Sequence, residues 1–357
     1  MKRGTSITKK DIVEGEIPVV SGGREPAYYC DKYNRDGETI TVAGSGAGAG
    51  YVQYWTKPIF VCDAFSIQGN PGIQTKYIYY FLTNIQDYIY STKKGGGVPH
   101  VHISSIENVS VPVPPLPVQR EIVRILDNFT ELTAELTAEL TARKKQYAYY
   151  RDKLLSTNNS SVPVVELRDI VKKSCSGATP AKGNAEYYEN GTIPWIRTQD
   201  VRFNEITEVN SYITEKAVSE TATKWIPENC VIVAISGATA GRCAINKIKA
   251  TTNQHCLNLI IDDSMALYRY VFHCLCSKYE ELISRKQGAR GDLNSSLILS
   301  LPIPIPSLEV QKRLVEVLDN FDAICSDLKI GLPAEIEARQ KQYEYYRDKL
   351  LTFTPAD

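Results

Sequence analysis

Residues 142–156 read ARKKQYAYYRDKLLS, and residues 338–352 read ARQKQYEYYRDKLLT. Twelve of the fifteen positions are identical. Upstream of each block, VQREIVRILDNF at 118–129 answers VQKRLVEVLDNF at 310–321. Weaker matches keep step with these: SGAGAG at 45–50 with SGATAG at 236–241, Tyr77, Tyr79 and Phe81 with Tyr268, Tyr270 and Phe272, Ser104 and Ser105 with Ser295 and Ser296, and VPVP at 111–114 with IPIP at 303–306. These weaker pairs all lie 191 or 192 residues apart, an offset that chance would not hold. The chain is therefore a tandem duplication in which a variable domain and a spacer alternate twice.

The spacers read as long helices. Pro114, Pro115 and Pro117 stop the preceding strand and open the first helix. Ile122, Ile125, Leu126, Phe129, Leu132, Leu136 and Leu140 then recur at three- and four-residue steps, one apolar stripe suited to a partner helix. The second spacer repeats the stripe with Leu314, Val317, Leu318, Phe321, Ile324 and Leu328, and Gly331 and Pro333 predict a kink or restart after it. About 38 helical residues make a rod of roughly 57 Å. Each helix must start near one variable domain and end near the next, so the two stripes are expected to pack antiparallel on each other. LTAELTAELTA at 132–142 is a four-residue repeat of good helix formers; taken alone it reads as a low-complexity helix.

The variable segments differ in kind. ETITVAG, PIFVCDAFSI and VIVAIS are short β-rich runs between Gly-, Asn- and Pro-bearing turns, and helical stretches follow near 75–92 and 264–286. The expected class is α+β: two pseudo-repeated α/β domains joined by two long antiparallel coiled-coil helices. Hydrophobic residues make up 43% and charged residues 23%, the balance of a globular chain. No apolar run reaches membrane-spanning length, and MKRGTSITKKDIVEG has no signal-like segment, so no membrane partner and a cytoplasmic location are expected. The nine cysteines include no CxxC pair and read as reduced, mostly buried thiols; His100 and His102 lack a nearby third ligand, and no metal is expected. Forty-one basic residues balance forty-one acidic ones, which suggests that affinity for a polyanion needs a partner subunit.

Gly44, Gly46 and Ala49 in AGSGAGAG satisfy the G-x-G-x-x-[GA] spacing of a dinucleotide or S-adenosylmethionine loop. That use needs a helix to follow, yet YVQYWTKPIFVCD reads as a strand, as does RCAINKI after the second copy, so a glycine hairpin turn is expected in both. Asn70-Pro71-Gly72 lacks the Pro-Pro-aromatic segment that an adenine methyltransferase needs. A self-sufficient S-adenosylmethionine-dependent DNA methyltransferase, or a fragment of one, is thus the second reading, and a coiled-coil scaffold without DNA function a third.

The repeated QYxYYRDKLL spacers between unlike halves, the paired SGAxAG turns, IPWIRTQDV at 193–201 and GDLNSSLILSLPIPIPSLEVQ at 292–311 make nearly the whole chain resemble the DNA-specificity subunits of Type I restriction–modification systems. The resemblance implies a non-catalytic, DNA-binding chain in which each target-recognition domain reads one half of a bipartite, asymmetric site on double-stranded DNA. The spacers set the half-site distance and dock two methyltransferase (modification) subunits, joined by restriction/translocase subunits. It implies no cofactor on this chain, with S-adenosylmethionine, ATP and Mg on the partners. The expected layout is recognition domain 1 at 1–113, spacer 1 at 114–157, recognition domain 2 at 158–303 and spacer 2 at 304–357. VPVVELRDIVKKSCSG leads into Gly177, whereas MKRGTS has Gly4 already at that point, so about a dozen residues of lead-in are expected to be missing from the first half. Helical spacer length sets the gap between half-sites in this family, which gives the TAEL repeat a meaning.

Readers of base edges and phosphates are Arg, Lys, Asn, Gln and small polar groups, with glycine permitting close backbone approach. The candidates in the first domain are Ser21, Gly22, Gly23, Arg24 and Tyr28, the turn Gly46, Gly48 and Tyr51, and Lys93, Lys94, Gly95, Gly96, Gly97 and His100. Those in the second are Arg197, Thr198, Gln199, Asp200, Thr239, Arg242, Asn253, Gln254, Lys286 and Arg290. Tyr147, Tyr149 and Tyr150 are read as spacer packing or subunit docking.

Overall fold

The computed structural model describes residues 1–7, 12–156, 161–286 and 292–352. In chain order the first half forms β1 (Lys2–Arg3), β2 (Ile17–Val20), β3 (Tyr28–Cys30), β4 (Thr39–Ala43), β5 (Val52–Trp55), β6 (Phe60–Val61), β7 (Ala64–Ile67), α1 (Thr75–Asn84), α2 (Gln86–Ser91) and the long α3 (Leu116–Leu154). The second half forms β8 (Val164–Glu166), β9 (Val171–Ser176), β10 (Ile193–Ile196), β11 (Asn204–Ile206), β12 (Tyr212–Ile213), α4 (Glu215–Glu220), β13 (Trp225–Ile226), β14 (Val231–Ala234), β15 (Cys243–Asn246), β16 (Ala250–Thr252), β17 (Cys256–Ile261), α5 (Tyr268–Ser277), α6 (Tyr279–Ser284), α7 (Ser295–Leu299), β18 (Pro302–Pro304), α8 (Leu308–Ser326) and α9 (Leu332–Leu351). They make two units: residues 1–138 with 334–357, and residues 139–333.

In the first unit the sheet order is β1-β7-β4-β5, with β3-β2-β6 beside it. In β4, TITVA alternates strictly. Ile40 and Val42 join Phe65, Phe81, Leu82 and Ile89 in the core, while Thr39 and Thr41 face the other way, buried. Thr41 Oγ1 accepts the Trp55 indole N–H at 2.9 Å, so the buried hydroxyl is satisfied. In the second unit the order is β11-β15-β14-β17-β9, flanked by β12-β10-β16-β13 and the pair β18-β8. VIVA of β14 is buried on both faces. Val231 and Val233 meet Tyr270, Val271 and Leu275 of α5, and Ile232 and Ala234 meet Ile196, Ile206 and Ile226. The main sheets match strand for strand, with β11 added in the second. Residues 111–114, the counterpart of β18, belong to no strand.

Each domain is held to the root of a spacer by the same latch. Gln119 and Gln311 are completely buried. Gln119 Oε1 accepts from Gln74 N at 2.9 Å, and its Nε2 donates to Gly72 O and Pro114 O. Gln311 repeats this with Leu267 N at 2.9 Å, Met265 O and Pro306 O. Two turns on, Asp127 accepts from Lys76 Nζ and Tyr80 Oη, and Asp319 from Arg269 Nε and His273 Nε2. Burial works against the Asp319 charge, yet the His273 and Arg269 hydrogen bonds hold its carboxyl below the ordinary carboxylate value. Buried Tyr77 and Tyr270 donate to Pro112 O and Pro304 O. These pairs correct the sequence register in the helix: Tyr77 answers Tyr270, not Tyr268, because two residues are inserted before α5.

Spacer tails pack antiparallel to spacer roots within each unit. In the first, Phe129 stacks on Tyr346 at 5.5 Å between centroids, and Leu351 joins Ile122 and Leu126. In the second, Tyr150 meets Phe321 at 6.3 Å, and Leu155 joins Val315 and Leu318. Leu136 is buried, while Leu132, Leu140 and Leu314 are half-buried. Val317, Ile324 and Leu328 depart from the expected stripe: they are exposed, and Val315 and Cys325 are buried instead. Leu328 lies beyond α8, where Asp327 Oδ1 accepts the Lys329 and Ile330 amides and ends the helix. The restart comes at Leu332. A Cβ on Gly331 would lie 2.6 Å from Ala323 O, which is why glycine stands there.

The latch sets a measurable expectation. Gln311→Leu leaves the Leu267 amide and the Met265 and Pro306 carbonyls unpaired, and should cost the second unit about 3 kcal/mol in denaturant unfolding. A loss under about 1 kcal/mol, the net worth of one hydrogen bond, would show that the glutamine does not hold the domain.

Candidate nucleic-acid interface

Three stretches distant in sequence meet at one end of the first sheet. Gly44 N donates to Asp63 O, Gly46 N to Pro99 O and Val101 N to Gly44 O, each at 3.0 Å. Lys94 and His100 exchange both backbone bonds, closing the lysine–glycine loop as a hairpin, and Ser45 bridges to His100. Ser21 and Gly23 flank Gly22, on which a Cβ would fall 2.0 Å from Ser45 O; on Gly48 it would fall 2.5 Å from Gly22 O. The Arg24 guanidinium lies 5.0 Å over the Tyr51 ring, and Lys93 Nζ 4.2 Å over Tyr90. Asp63, exposed, accepts from Ser45 Oγ. Thus Gly22, Arg24, Gly46, Gly48, Tyr51, Lys94, Gly95 and His100 come together around packed glycine backbone. Tyr28 does not join them: it pairs with Val19 in the small sheet and packs with Cys30 and Phe60, and burial raises its phenol pKa.

The same end of the second sheet is built alike. Ile235 N donates to His255 O at 2.9 Å, Asn253 N to Ile196 O at 3.0 Å, and Ser236 Oγ to Asp292 Oδ1 at 2.7 Å. A cleft of about 580 Å³ opens here, lined by Thr179, Lys182, Tyr188, Trp195, Arg197, Tyr212, Asn253, Gln254 and His255, among others. Thr198–Asp200 is one 3-10 turn, and Asp200 Oδ2 accepts from Arg197 N at 2.8 Å, so its carboxylate closes the turn. Asn253 is buried and caps His255 N, a scaffold role. Gln254 is exposed and accepts from Thr179 Oγ1. Arg197 packs 5.9 Å from the Trp195 centroid, and its Nε is buried without a hydrogen-bond partner among the described residues. An orphaned buried donor costs about 1–3 kcal/mol.

The remaining candidates are scattered. Thr239 and Arg242 share a backbone bond at the glycine turn, but Arg242 does not line the cleft. Lys286 follows α6, whose Tyr279 and Ile283 back Gly241. Gln199 is exposed beside the cleft, and Arg290 lies outside the described residues. Asp63, Lys182, Tyr212 and His255 were not singled out from sequence. For Asp63 a signal existed, since the repeat offset sets it beside Gln254.

The glycine turns do not open α-helices; Gly237–Thr239 makes a single 3-10 turn. Gly46 and Gly50, and in the copy Gly237 and Gly241, have φ of 81°, 84°, 71° and 91°. They lead into strands β5 and β15, which makes hairpins of both and removes the cofactor-loop reading. His100 and His102 stack at 6.1 Å, and no group of three potential metal ligands exists among the described residues. Seven of the nine cysteines are buried, and burial pushes the thiols of Cys230, Cys256 and Cys274 up to about 12.

Residues 1–143 and 159–338 both match the family model described as Type I restriction modification DNA specificity domain. The chain belongs to that family. It is 39% identical over 291 residues to the Type I restriction enzyme EcoR124I/EcoR124II specificity subunit of Escherichia coli, covering 78% of this chain and 70% of that one. Its fold is similar to the S subunit of a Type-I restriction-modification system from M. genitalium, with TM-score 0.63, 18% identity and coverage of 99% and 94%. It is also similar to a chain solved for complex assembly and conformational transition of the type I R-M system, with TM-score 0.65, 16% identity and coverage of 90% and 83%. As a Type I specificity subunit the chain is non-catalytic, and nothing supports the methyltransferase alternative. Among the described residues no helix is long and apolar enough to cross a membrane.

The turn geometry can be tested directly. Gly50→Ala forces an unfavourable φ against Ile89, Val101 and Tyr90, and should cost about 1–3 kcal/mol. Gly96→Ala, with open space around it, should stay within about 0.5 kcal/mol. Equal thermal shifts for the two would contradict this assignment of strain.

Proposed function

We propose that the two domains, within 1–113 and 158–303, each read one half of a bipartite, asymmetric site on double-stranded DNA, and that the spacers at 114–157 and 304–357 fix the half-site distance. The observation that carries this is a duplicated scaffold with unlike ends. Latch, sheet and glycine hairpin recur, while the loops around them present different side chains. Arg24, Lys93, Lys94 and His100 serve the first half-site, and Arg197, Gln199, Gln254 and Thr239 the second. The orphaned Arg197 Nε favours a role in binding an acceptor on a base edge or phosphate.

The modification subunits dock on the spacers. Val310, Val317 and Ile324 recur every seven residues along α8, exposed, with Leu328 and Ile330 beyond them, an apolar stripe for two methyltransferase subunits and their restriction/translocase partners. S-adenosylmethionine, ATP and Mg act on those partners, in the cytoplasm.

One TAEL unit adds ~6 Å of helix, close to two base-pair steps of ~3.4 Å. A variant with one unit added or removed should methylate both half-sites unchanged at an altered separation, read by methylome sequencing. An unchanged separation would reject the ruler. Arg197→Ala should relax one position of the second half-site, by roughly tenfold or more in a binding selection. Uniform loss across sequences would mark it as a phosphate contact.

A further inference from the structure

Equivalent hydrogen bonds align the reading ends residue by residue. Val20 pairs in parallel with Val61, and Ile196 with Thr252. Cys62 N donates to Val20 O, and Asn253 N to Ile196 O. On the other side, Gly44 N donates to Asp63 O, and Ile235 N to His255 O. Two residues, Cys62 and Asp63, therefore span in the first domain what Asn253, Gln254 and His255 span in the second. The scaffold is shared, and the groups displayed differ in kind. Asp63 is exposed and offers only acceptors when ionised, and Ser45 Oγ fixes one carboxylate oxygen. Gln254 and His255 are exposed and offer donors as well, with Gln254 Nε2 and His255 Nε2 3.2 Å apart.

We infer that Asp63 is a specificity-determining residue of the first half-site, where it accepts a hydrogen bond from the exocyclic amino group of cytosine or adenine in the major groove. His255 fills the equivalent backbone place in the second domain, with Gln254 as the additional residue beside it. A carboxylate facing guanine O6 or N7, or thymine O4, sets acceptor against acceptor, so the residue selects by repulsion as well as by bonding. Ser45 is the positioning residue. This rests on the proposed reading of DNA by both domains.

The test uses the full chain assembled with its methyltransferase partners. In Asp63→Asn, methylome sequencing should show one position of one half-site relaxed, by roughly tenfold or more in a selection from random duplexes, with the other half-site intact. Replacing the base at that position by an analogue lacking the amino group should weaken binding of the parent chain and leave Asp63→Asn little changed. Ser45→Ala should keep the base identity with a shallower preference. Gln254→Glu should act on the opposite half-site alone. An unaltered motif in Asp63→Asn overturns the inference. So does equal sensitivity of both chains to the analogue, and so does loss of all methylation by a normally folded Asp63→Asn chain, which would make Asp63 scaffold. If the parent chain directs no bipartite methylation, the reading of the domains fails instead.

Discussion

A fully buried glutamine amide at the root of each spacer fixes where the adjoining domain can stand. Gln119 and Gln311 each satisfy one amide and two carbonyls where the chain enters the spacer helix. The ion pairs beside them are weaker constraints. Lys76 and Asp127 keep about a third of their side-chain surface in water, where such pairs contribute ~1 kcal/mol or less. The amide is different because the glutamine is completely buried, so its own polar atoms depend on these backbone partners. The latch is thus a geometric device, and a domain anchored by backbone hydrogen bonds cannot swivel without breaking several of them.

That anchoring explains which side chains differ between the halves. Residues at the latch answer one another closely: Gln119 and Gln311, Asp127 and Asp319, Tyr77 and Tyr270. One step outward the chemistry relaxes while the geometry stays, as Lys76 gives way to Arg269 and Tyr80 to His273 around the same carboxylate. At the far end the SGAxAG turn is kept with its two positive-φ glycines, because a hairpin of that shape tolerates little else there. The loops between carry no such demand, and there Cys62 and Asp63 stand where the second half has Asn253, Gln254 and His255. Tolerance grows with distance from the latch, which suits a protein whose frame is constant and whose readout varies.

The helices and the duplication were legible in sequence because their signals are local or periodic. The proline start at 114–117, the break near Gly331 and the hairpins after β4 and β14 all follow from backbone chemistry at named residues. Leu328 misled because periodicity alone does not reveal that Asp327 ends the helix by accepting the Lys329 and Ile330 amides. The shift of Tyr268 to Tyr270 was hidden because alternating tyrosines match at two offsets, and only the carbonyl each phenol reaches decides between them. Asp63 was overlooked for a related reason: an exposed acid in a short turn looks like any solvated residue until its backbone partner is known.

The near-identity of the two QYxYYRDKLL tails follows from what they meet. Tyr343 packs beside Tyr80 and Leu126 in the first unit, and Arg347 donates to Asn84. In the second unit the Tyr147 hydroxyl reaches His273 Nδ1 at 3.3 Å, while His273 Nε2 faces Asp319 at 2.7 Å. Each tail therefore closes on a latch helix of the duplicated half that did not produce it in sequence. Leu155 and Leu351 end both tails in a core. A tail that must fit the other half's latch cannot drift alone, because a change in one tyrosine would have to be matched across the repeat. The two latches differ at Tyr80 and His273, yet each of these side chains lies beside the tail tyrosine and is bonded to the equivalent aspartate, Asp127 in the first unit and Asp319 in the second. Shared carboxylate geometry, more than shared side chains, is what holds the two tails to one sequence.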